Sequence, residues 1–414
     1  MAVALAVELA DELADGAKGA ALPLIQHDLR LSYGQIGLLA SVPILAGGAL
    51  ELPLGILAGR AGRRRRVILG GGLVFILSLL AVAGTRSVAA ALAAFTVFYV
   101  ASGAFVSLTQ AELMEAGPDR QAQIMARWDL AGSAGAVAGP LLLAAVLAAG
   151  GSWRTAYLVL AALAALAWLG SFLRDPRRAR GPAAQASGGG QAEGPAAAGE
   201  GGDPAASVAG AARVREVMAA LRDWPVLRWL VLLEVADLLV DVLTGFLALY
   251  LVDAAHLRPE VAALAIAIRS GAALAGAAAL VSVLDRVTDV TVLRASAVVA
   301  ALAYPGFLLA PGPAAKLIIL AVLSAATAPW YPLLQARLYG SLPGRSAVAV
   351  TLGSAAGLAG GLGPLAVGMI AGRLGLPAAL AALVCVPVAV LAGTLSAARR
   401  PAPDRPADAD GARE

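Results

Sequence analysis

The sequence predicts an all-α protein that crosses a membrane twelve times, arranged as two six-helix bundles. Three observations predict it. The 414 residues are 60% hydrophobic and only 14% charged, with a mean hydropathy of +0.81, whereas an average soluble domain carries roughly a quarter charged residues. The apolar residues gather in stretches of about 20, the length that spans a bilayer as a helix. Those stretches fall six and six about one long polar interruption. So apolar a composition excludes an ordinary soluble enzyme, a disordered chain and a fibrous one. The single cysteine, Cys385, excludes an intramolecular disulfide or a thiolate metal cluster. Two histidines, His27 and His256, leave little for a His-rich metal site.

The elements follow in order. The first half, 1–173, holds spans at 3–26, 35–58, 67–84, 88–110, 122–149 and 153–173. A linker at 174–225 opens with Arg174-Asp175-Pro176-Arg177-Arg178 and continues through a Gly/Ala/Pro/Ser tract (181–210). That tract has too few large apolar groups to fold and is expected to be disordered. Val214 to Trp224 then alternates charged and apolar residues at helical spacing, the pattern of an amphipathic helix lying on the membrane surface. The second half, 226–398, holds spans at 226–252, 260–282, 291–311, 315–338, 347–371 and 376–397, and a polar tail occupies 399–414.

Basic residues resist translocation and so set orientation. Of the 31 Lys and Arg, 23 lie near the connections that share a side with the termini and 6 near the opposite ones; Lys18 and Arg269 lie inside spans. The asymmetry predicts a multi-pass protein of the inner or plasma membrane with both termini cytoplasmic. No cleavable signal is expected, because the N-terminus lacks a basic region and its apolar stretch carries acids. The run Arg63–Arg66 reads as a patch that holds this orientation against anionic lipid.

The two halves repeat. Glu8, Asp11 and Asp15 align with Glu234, Asp237 and Asp241 at a shift of 226 positions. The same shift sets Gly59-Arg60 over Asp285-Arg286, and with one or two residues lost Gln110-Ala111-Glu112-Leu113 matches Gln335-Ala336-Arg337-Leu338 and Gly139-Pro140 matches Gly363-Pro364. Six-span halves in the same orientation are related by an axis along the membrane normal, with a cavity at their interface.

At these residues the chain resembles the major facilitator superfamily along essentially its whole length. Gly55-Ile56-Leu57-Ala58-Gly59-Arg60-Ala61-Gly62-Arg63-Arg64 follows the superfamily's loop signature Gly-x-x-x-Asp-Arg-x-Gly-Arg-Arg, with Gly59 where the pattern has Asp. The second-half copy keeps the acid, as Asp285-Arg286. In that family these residues, Gly55, Arg60, Gly62, Arg63, Asp285 and Arg286, belong to a gating motif. Gly135-x-x-x-Gly139-Pro140 in the fifth span is similar to the core of the drug–proton antiporter signature, although Leu143 and Ala144 replace its trailing glycines and Tyr99 stands near that branch's arginine. The resemblance implies a transporter that works by alternating access, with no cofactor and no enzymatic activity. It implies small-molecule, lipid and proton partners, no nucleic acid, and function as a monomer.

The acids of the first span carry the chemistry. At about 100° per residue Glu8, Asp11, Glu12, Asp15 and Lys18 fall within an arc of about 120°, and Glu234, Asp237 and Asp241 within about 60°. Ionisable groups at bilayer depth cost about 3 kcal/mol each and face cavities or ion pathways. Only two internal bases, Lys18 and Arg269, accompany seven acids, so the surplus is protonated or balanced by a bound cation. Asp15 and Asp241 are expected to be unpaired at the centre of each arc. Arg269 is placed to gate the cluster. Tyr99, Trp330, Tyr331 and Gln335 belong to the fourth and tenth spans, which line cavities in this superfamily, and their faces suit an organic cation. Glu51 is a lone charge in the second span, and Arg127 with Asp129 is expected to pair locally. Gly132, Gly135, Gly139 and Pro140, like Gly353, Gly357, Gly360 and Gly363, are expected to form packing surfaces that slide as the halves rock. The expected activity is export of a cationic or protonatable small molecule in exchange for protons. A divalent-metal carrier and a non-transporting membrane sensor on the same fold are the alternatives.

Overall fold

The computed structural model describes residues 1–59, 63–115, 120–173, 216, 218–342 and 346–395. It is helical throughout this set. The first half contributes α1 (Ala2–Leu29), α2 (Tyr33–Gly59), α3 (Arg64–Gly84), α4 (Val88–Glu115), α5 (Gln121–Ala148) and α6 (Trp153–Leu173). The second contributes α7 (Trp224–Ala254), α8 (Pro259–Leu284), α9 (Asp289–Leu309), α10 (Pro313–Gly340), α11 (Ser346–Gly360 and Gly363–Leu374) and α12 (Leu376–Leu395). Eleven helices among the described residues have the length and hydropathy of a membrane span. The remaining one, α1, has the length, but Glu8, Asp11, Glu12, Asp15 and Lys18 break its apolar run. Hydrophobic side chains project outward where a soluble protein would be polar: Leu302 is 73% exposed and Leu309 82%. These are lipid-facing positions.

Several spans depart from a regular helix where the sequence permits. A π-helical stretch covers Gly103–Ser107 in α4 and another covers Tyr250–Ala254 at the end of α7. The α10 helix breaks at Ala328-Pro329, and α11 breaks at Gly361-Leu362 before Gly363-Pro364 restarts it. Proline at a first helical turn lacks only an N–H that would be unsatisfied anyway. Gly375, at φ 86, makes the short turn between α11 and α12.

Within the first half α1 packs on α5, α2 on α4 and α3 on α6; within the second α8 packs on α10 and α9 on α12. The halves meet through α1 with α7 and α8, α5 with α8, and α2 with α11. These contacts tighten at the end of the bundle remote from the termini. There a Cβ on Gly37 would come within 2.8 Å of Leu365 Cα, and one on Gly368 would strike the Tyr33 carbonyl oxygen. Ser41 Oγ accepts a hydrogen bond from the Leu365 amide at 3.0 Å, and Tyr33 Oη donates to Asp253 Oδ2 at 2.9 Å. On the terminal side a Cβ on Gly353 or Gly357 of α11 would meet nothing within 4 Å among the described residues.

Of the expected amphipathic segment, residues 218–221 are helical, with Ala220 buried and Met218 half exposed. Residues 174–215 and 217 of the linker, the tail after Leu395, and Arg60 and Gly62 of the loop motif lie outside the described residues, as does the side chain of Glu51.

Candidate functional site

The site begins on α1, whose acidic face turns two ways. Glu8 and Glu12 press against α5: a Cβ on Gly132 would lie 2.6 Å from Glu8 Oε1, and one on Gly135 2.7 Å from Glu12 Cβ. The Trp128 indole and Asp129 stand beside Glu8. Asp11 lies beside Ser102 of α4, and its Oδ1 is buried without a hydrogen-bond partner among the described residues. Glu8 and Glu12 therefore belong to a seam inside one half. The expectation that these acids face a cavity or ion pathway is corrected for Glu8 and Glu12, because α5 offers glycines small enough for α1 to close upon.

One turn further on, Asp15 reaches the interface and is engaged. Tyr99 Oη donates to Asp15 Oδ1 at 2.8 Å, and Lys18 Nζ donates to Tyr99 Oη at 2.9 Å. Lys18 Nζ lies 3.7 Å from Asp15 Oδ1 and 4.3 Å from the Tyr99 ring centroid. Lys18 is only 7% exposed, so this ammonium sits among aromatic faces and one carboxylate. Asp15 was expected to be unpaired and is not. Three residues are the reach of one helical turn, so Lys18 falls on the same side as Asp15 and Tyr99 bridges them from α4.

Across the interface α7 presents Asp241, with Arg269 of α8 as its electrostatic neighbour and Asp15 of α1 as a third member. Arg269 Nη2 donates to Thr244 Oγ1 at 2.7 Å and to the Val240 carbonyl at 3.3 Å, so its guanidinium is held by α7. The helices cross close by: a Cβ on Gly19 would lie 3.1 Å from the Thr244 carbonyl oxygen. Asp237 and Glu234 lie toward the terminal end of α7, near Tyr331, whose hydroxyl accepts from Gln335 Nε2 at 3.1 Å. Tyr331 is 48% exposed and open toward this surface. Trp330 is the exception among the expected lining residues. It is buried and donates through Nε1 to Ser296 Oγ at 2.9 Å, because the break at Ala328-Pro329 turns it into the α9 seam rather than toward α7.

The motif residues have varied fates. Gly55 lies within α2, Arg63 is exposed at the start of α3, and Asp285 and Arg286 are exposed after α8. The neighbouring arginines make contacts the sequence did not indicate: Arg64 Nη1 bonds Glu115 Oε2 at 2.6 Å, and Arg65 Nη2 donates to the Phe172 carbonyl at 2.9 Å. Gly139 and Pro140 pack α5 on α1, and Gly363 meets Leu238 of α7. Both contacts are internal to a half, which corrects the expectation of sliding surfaces. Arg127 and Asp129 are both exposed and make no ion pair with each other. Sequence reasoning missed Thr244, Ser102 and Gly19. Thr244 and Ser102 each stand three residues beyond a chosen residue, Asp241 and Tyr99, and helical spacing could have found them. Among the described residues no three or more His, Cys, Asp or Glu side chains come together as a metal site.

The family model for the Major Facilitator Superfamily matches residues 9–351. The chain belongs to the major facilitator superfamily. Solved structures of the superfamily's architecture superpose on nearly its whole length. A nucleoside transporter, NupG, is 14% identical with a TM-score of 0.70, covering 97% of this chain and 100% of that one. A bacterial homologue of the lysosomal transporter Spinster, in an inward-facing and occupied conformation, is 15% identical with a TM-score of 0.72, covering 96% of each chain. The peptide transporter POT in complex with sulfate is 13% identical with a TM-score of 0.70, covering 95% of this chain and 92% of that one. At these identities the likeness shows the fold. No curated protein matches the chain by sequence. As a superfamily member the chain is a multi-pass membrane protein built as a secondary transporter of small molecules.

Proposed function

We propose that this transporter exports a cationic or protonatable small molecule in exchange for protons, through the interface of α1 and α7. The observation that carries the reading is the imbalance of charge there. Lys18 is committed to Asp15 and Tyr99, and Arg269 is the other internal base beside the acids of both halves. Asp237, Glu234 and Asp11 have no cation within ion-pair distance among the described residues. A carboxylate left without a cation at bilayer depth binds one or binds a proton, and exchange of the two is antiport. Tyr331 and Gln335 supply an aromatic face and an amide beside Asp237 for the organic part of the cargo.

The closed end of the bundle, remote from the termini, faces outward when the basic residues hold the termini in the cytoplasm. The transport cavity then opens inward, the state in which the Spinster homologue was solved. Loading from the cytoplasm and release outside would complete the cycle, the protein acting as a monomer in the inner or plasma membrane.

The test is exchange in proteoliposomes with a pH gradient imposed, screened against monovalent organic cations. Asp237→Asn and Asp241→Asn should fold, since the amide keeps the shape and removes a costly charge. Each should slow proton-driven exchange by about tenfold or more, the loss of an interaction of ~1.5–3 kcal/mol with a charged group. Wild-type rates in both variants, or cation binding without turnover in the wild type, would overturn the reading.

A further inference from the structure

The closed end holds a second cavity, separate from the acids of the transport site. Its volume is about 720 Å³, within the range of small-molecule sites. Both halves build it: Pro23 and Leu24 come from α1 and Val252 and Pro259 from α7 and α8. These give it apolar walls, and Gln26, His27 and Ser152 add polar groups to the lining. Of its charged groups, Asp28 and Arg154 cancel each other, with Arg154 Nη2 2.7 Å from Asp28 Oδ2. Arg154 is further tied by Nη1 to the Ala83 and Thr85 carbonyls at 2.8 and 2.7 Å, and Trp153 Nε1 reaches Asp28 at 3.2 Å. Among the described residues, Asp253 is the lining carboxylate without a cation. It accepts a hydrogen bond from Tyr33 of the other half. It stands in the π-helical stretch Tyr250–Ala254, a local widening that proteins frequently place at functional sites.

We infer that this cavity is a binding site for a monovalent organic cation of apolar body, with Asp253 as its counter-charge. The ligand class follows from the lining: a solvent-facing carboxylate without a cation, set beside apolar walls, favours one positive charge on a hydrophobic frame. The inference goes beyond the transport site, and it carries a consequence for the closed end. A cation on Asp253 competes with the Tyr33 hydroxyl and so loosens the hydrogen bond that joins α2 to α7. Because each half contributes walls, the chamber exists in this form only while the halves are together at this end.

Ethidium, a monovalent aromatic cation whose fluorescence rises in apolar surroundings, reads the site directly in the purified full chain held in lipid nanodiscs. The background is Asp237→Asn with Asp241→Asn, which removes the acids that the transport reading assigns to the cargo. Saturable binding of one ethidium per chain should persist there, weaken at least tenfold with Asp253→Asn, and tighten severalfold with Tyr33→Phe, which removes the competitor. Leu24→Trp, which fills the chamber and leaves every charge in place, should also abolish it. Absence of saturable binding in this background, or binding indifferent to Asp253→Asn and to Leu24→Trp, would overturn the inference. Indifference to Tyr33→Phe would overturn the competition between the cation and Tyr33. Failure of the transport reading shows separately, as exchange that survives Asp237→Asn and Asp241→Asn.

Discussion

The seam between α1 and α5 and its repeat partner between α7 and α11 start from the same pattern and end with different contacts. In the first, glycine lets backbone meet backbone. A Cβ on Gly135 would lie 2.7 Å from the Leu9 carbonyl oxygen, and one on Gly139 would strike the Leu13 carbonyl oxygen and come within 2.9 Å of the Ala17 nitrogen. In the second, an added Cβ meets only side chains: on Gly360 it would lie 2.7 Å from Glu234 Oε2, and on Gly363 it would strike Leu238 Cδ1. The acids repeat too, since Glu8 lies against Gly132 as Glu234 lies against Gly360. Leu238 occupies the place of Glu12, and α11 breaks where α5 runs on unbroken through Pro140. A repeated pattern thus yields one rigid seam and one that can yield. A second pair shows the same inversion: Arg64 of α3 bonds Glu115 of α4, whereas Asp289 of α9 receives both Nε and Nη2 of Arg337 of α10. The clasp is kept and its polarity reversed.

The largest effect should come from breaking the rigid seam. Gly139→Leu forces backbone apart and should cost ~3 kcal/mol or more, read as a loss of folded yield and a lower melting temperature in detergent. Gly363→Ala should cost under ~1 kcal/mol, because the end of Leu238 can rotate away. Equal losses in the two variants would remove the distinction between the seams. Next is Lys18→Met. It strips Asp15 of its cation, and since Asp15 is partly exposed the expected cost is ~1–3 kcal/mol rather than that of a fully buried pair. Adding Asp15→Asn should recover most of it, and a double-variant melt that stays additive would show the pair is uncoupled. Smaller still, Arg337→Glu should lower stability by about 1 kcal/mol, and Asp289→Arg added to it should restore the clasp in the polarity of the first half. Gly357→Ala should be the mildest. With nothing within 4 Å of its Cβ it should be neutral or gain ~0.5–1 kcal/mol of helix propensity, a change visible as an equal or higher melting temperature.

Much of the site was legible, but its partners were not. The seven acids, Lys18 and Arg269 are visible as charges inside apolar runs, because any ionisable group at that depth needs a reason to be there. Which acid each base serves was not visible. Lys18 lies three residues from Asp15 and seven from Asp11, and helical geometry alone permits either. Tyr99 on α4 settles it by bridging to Asp15. Trp330 and Tyr331 are adjacent in the chain, yet one is buried on Ser296 and the other opens toward Asp237. Tyr33, Gly37 and Gly368, which close one end of the bundle, sit in stretches with no distinguishing pattern.

Span number, the six-and-six division, the repeat and the acid pattern follow from the sequence by itself. Each depends on residues close in the chain or on a fixed shift, and hydropathy and helical period are local properties. The seams between helices were decided by the tertiary structure alone. Whether a glycine meets a carbonyl, a carboxylate or open space depends on a helix a hundred residues away, and close packing resolves differences of a single methyl group. The same holds for Asp253. In the chain it is one acid in the turn between two spans; only the folding of α2 against α7 gives it Tyr33 for a partner and a chamber built by both halves.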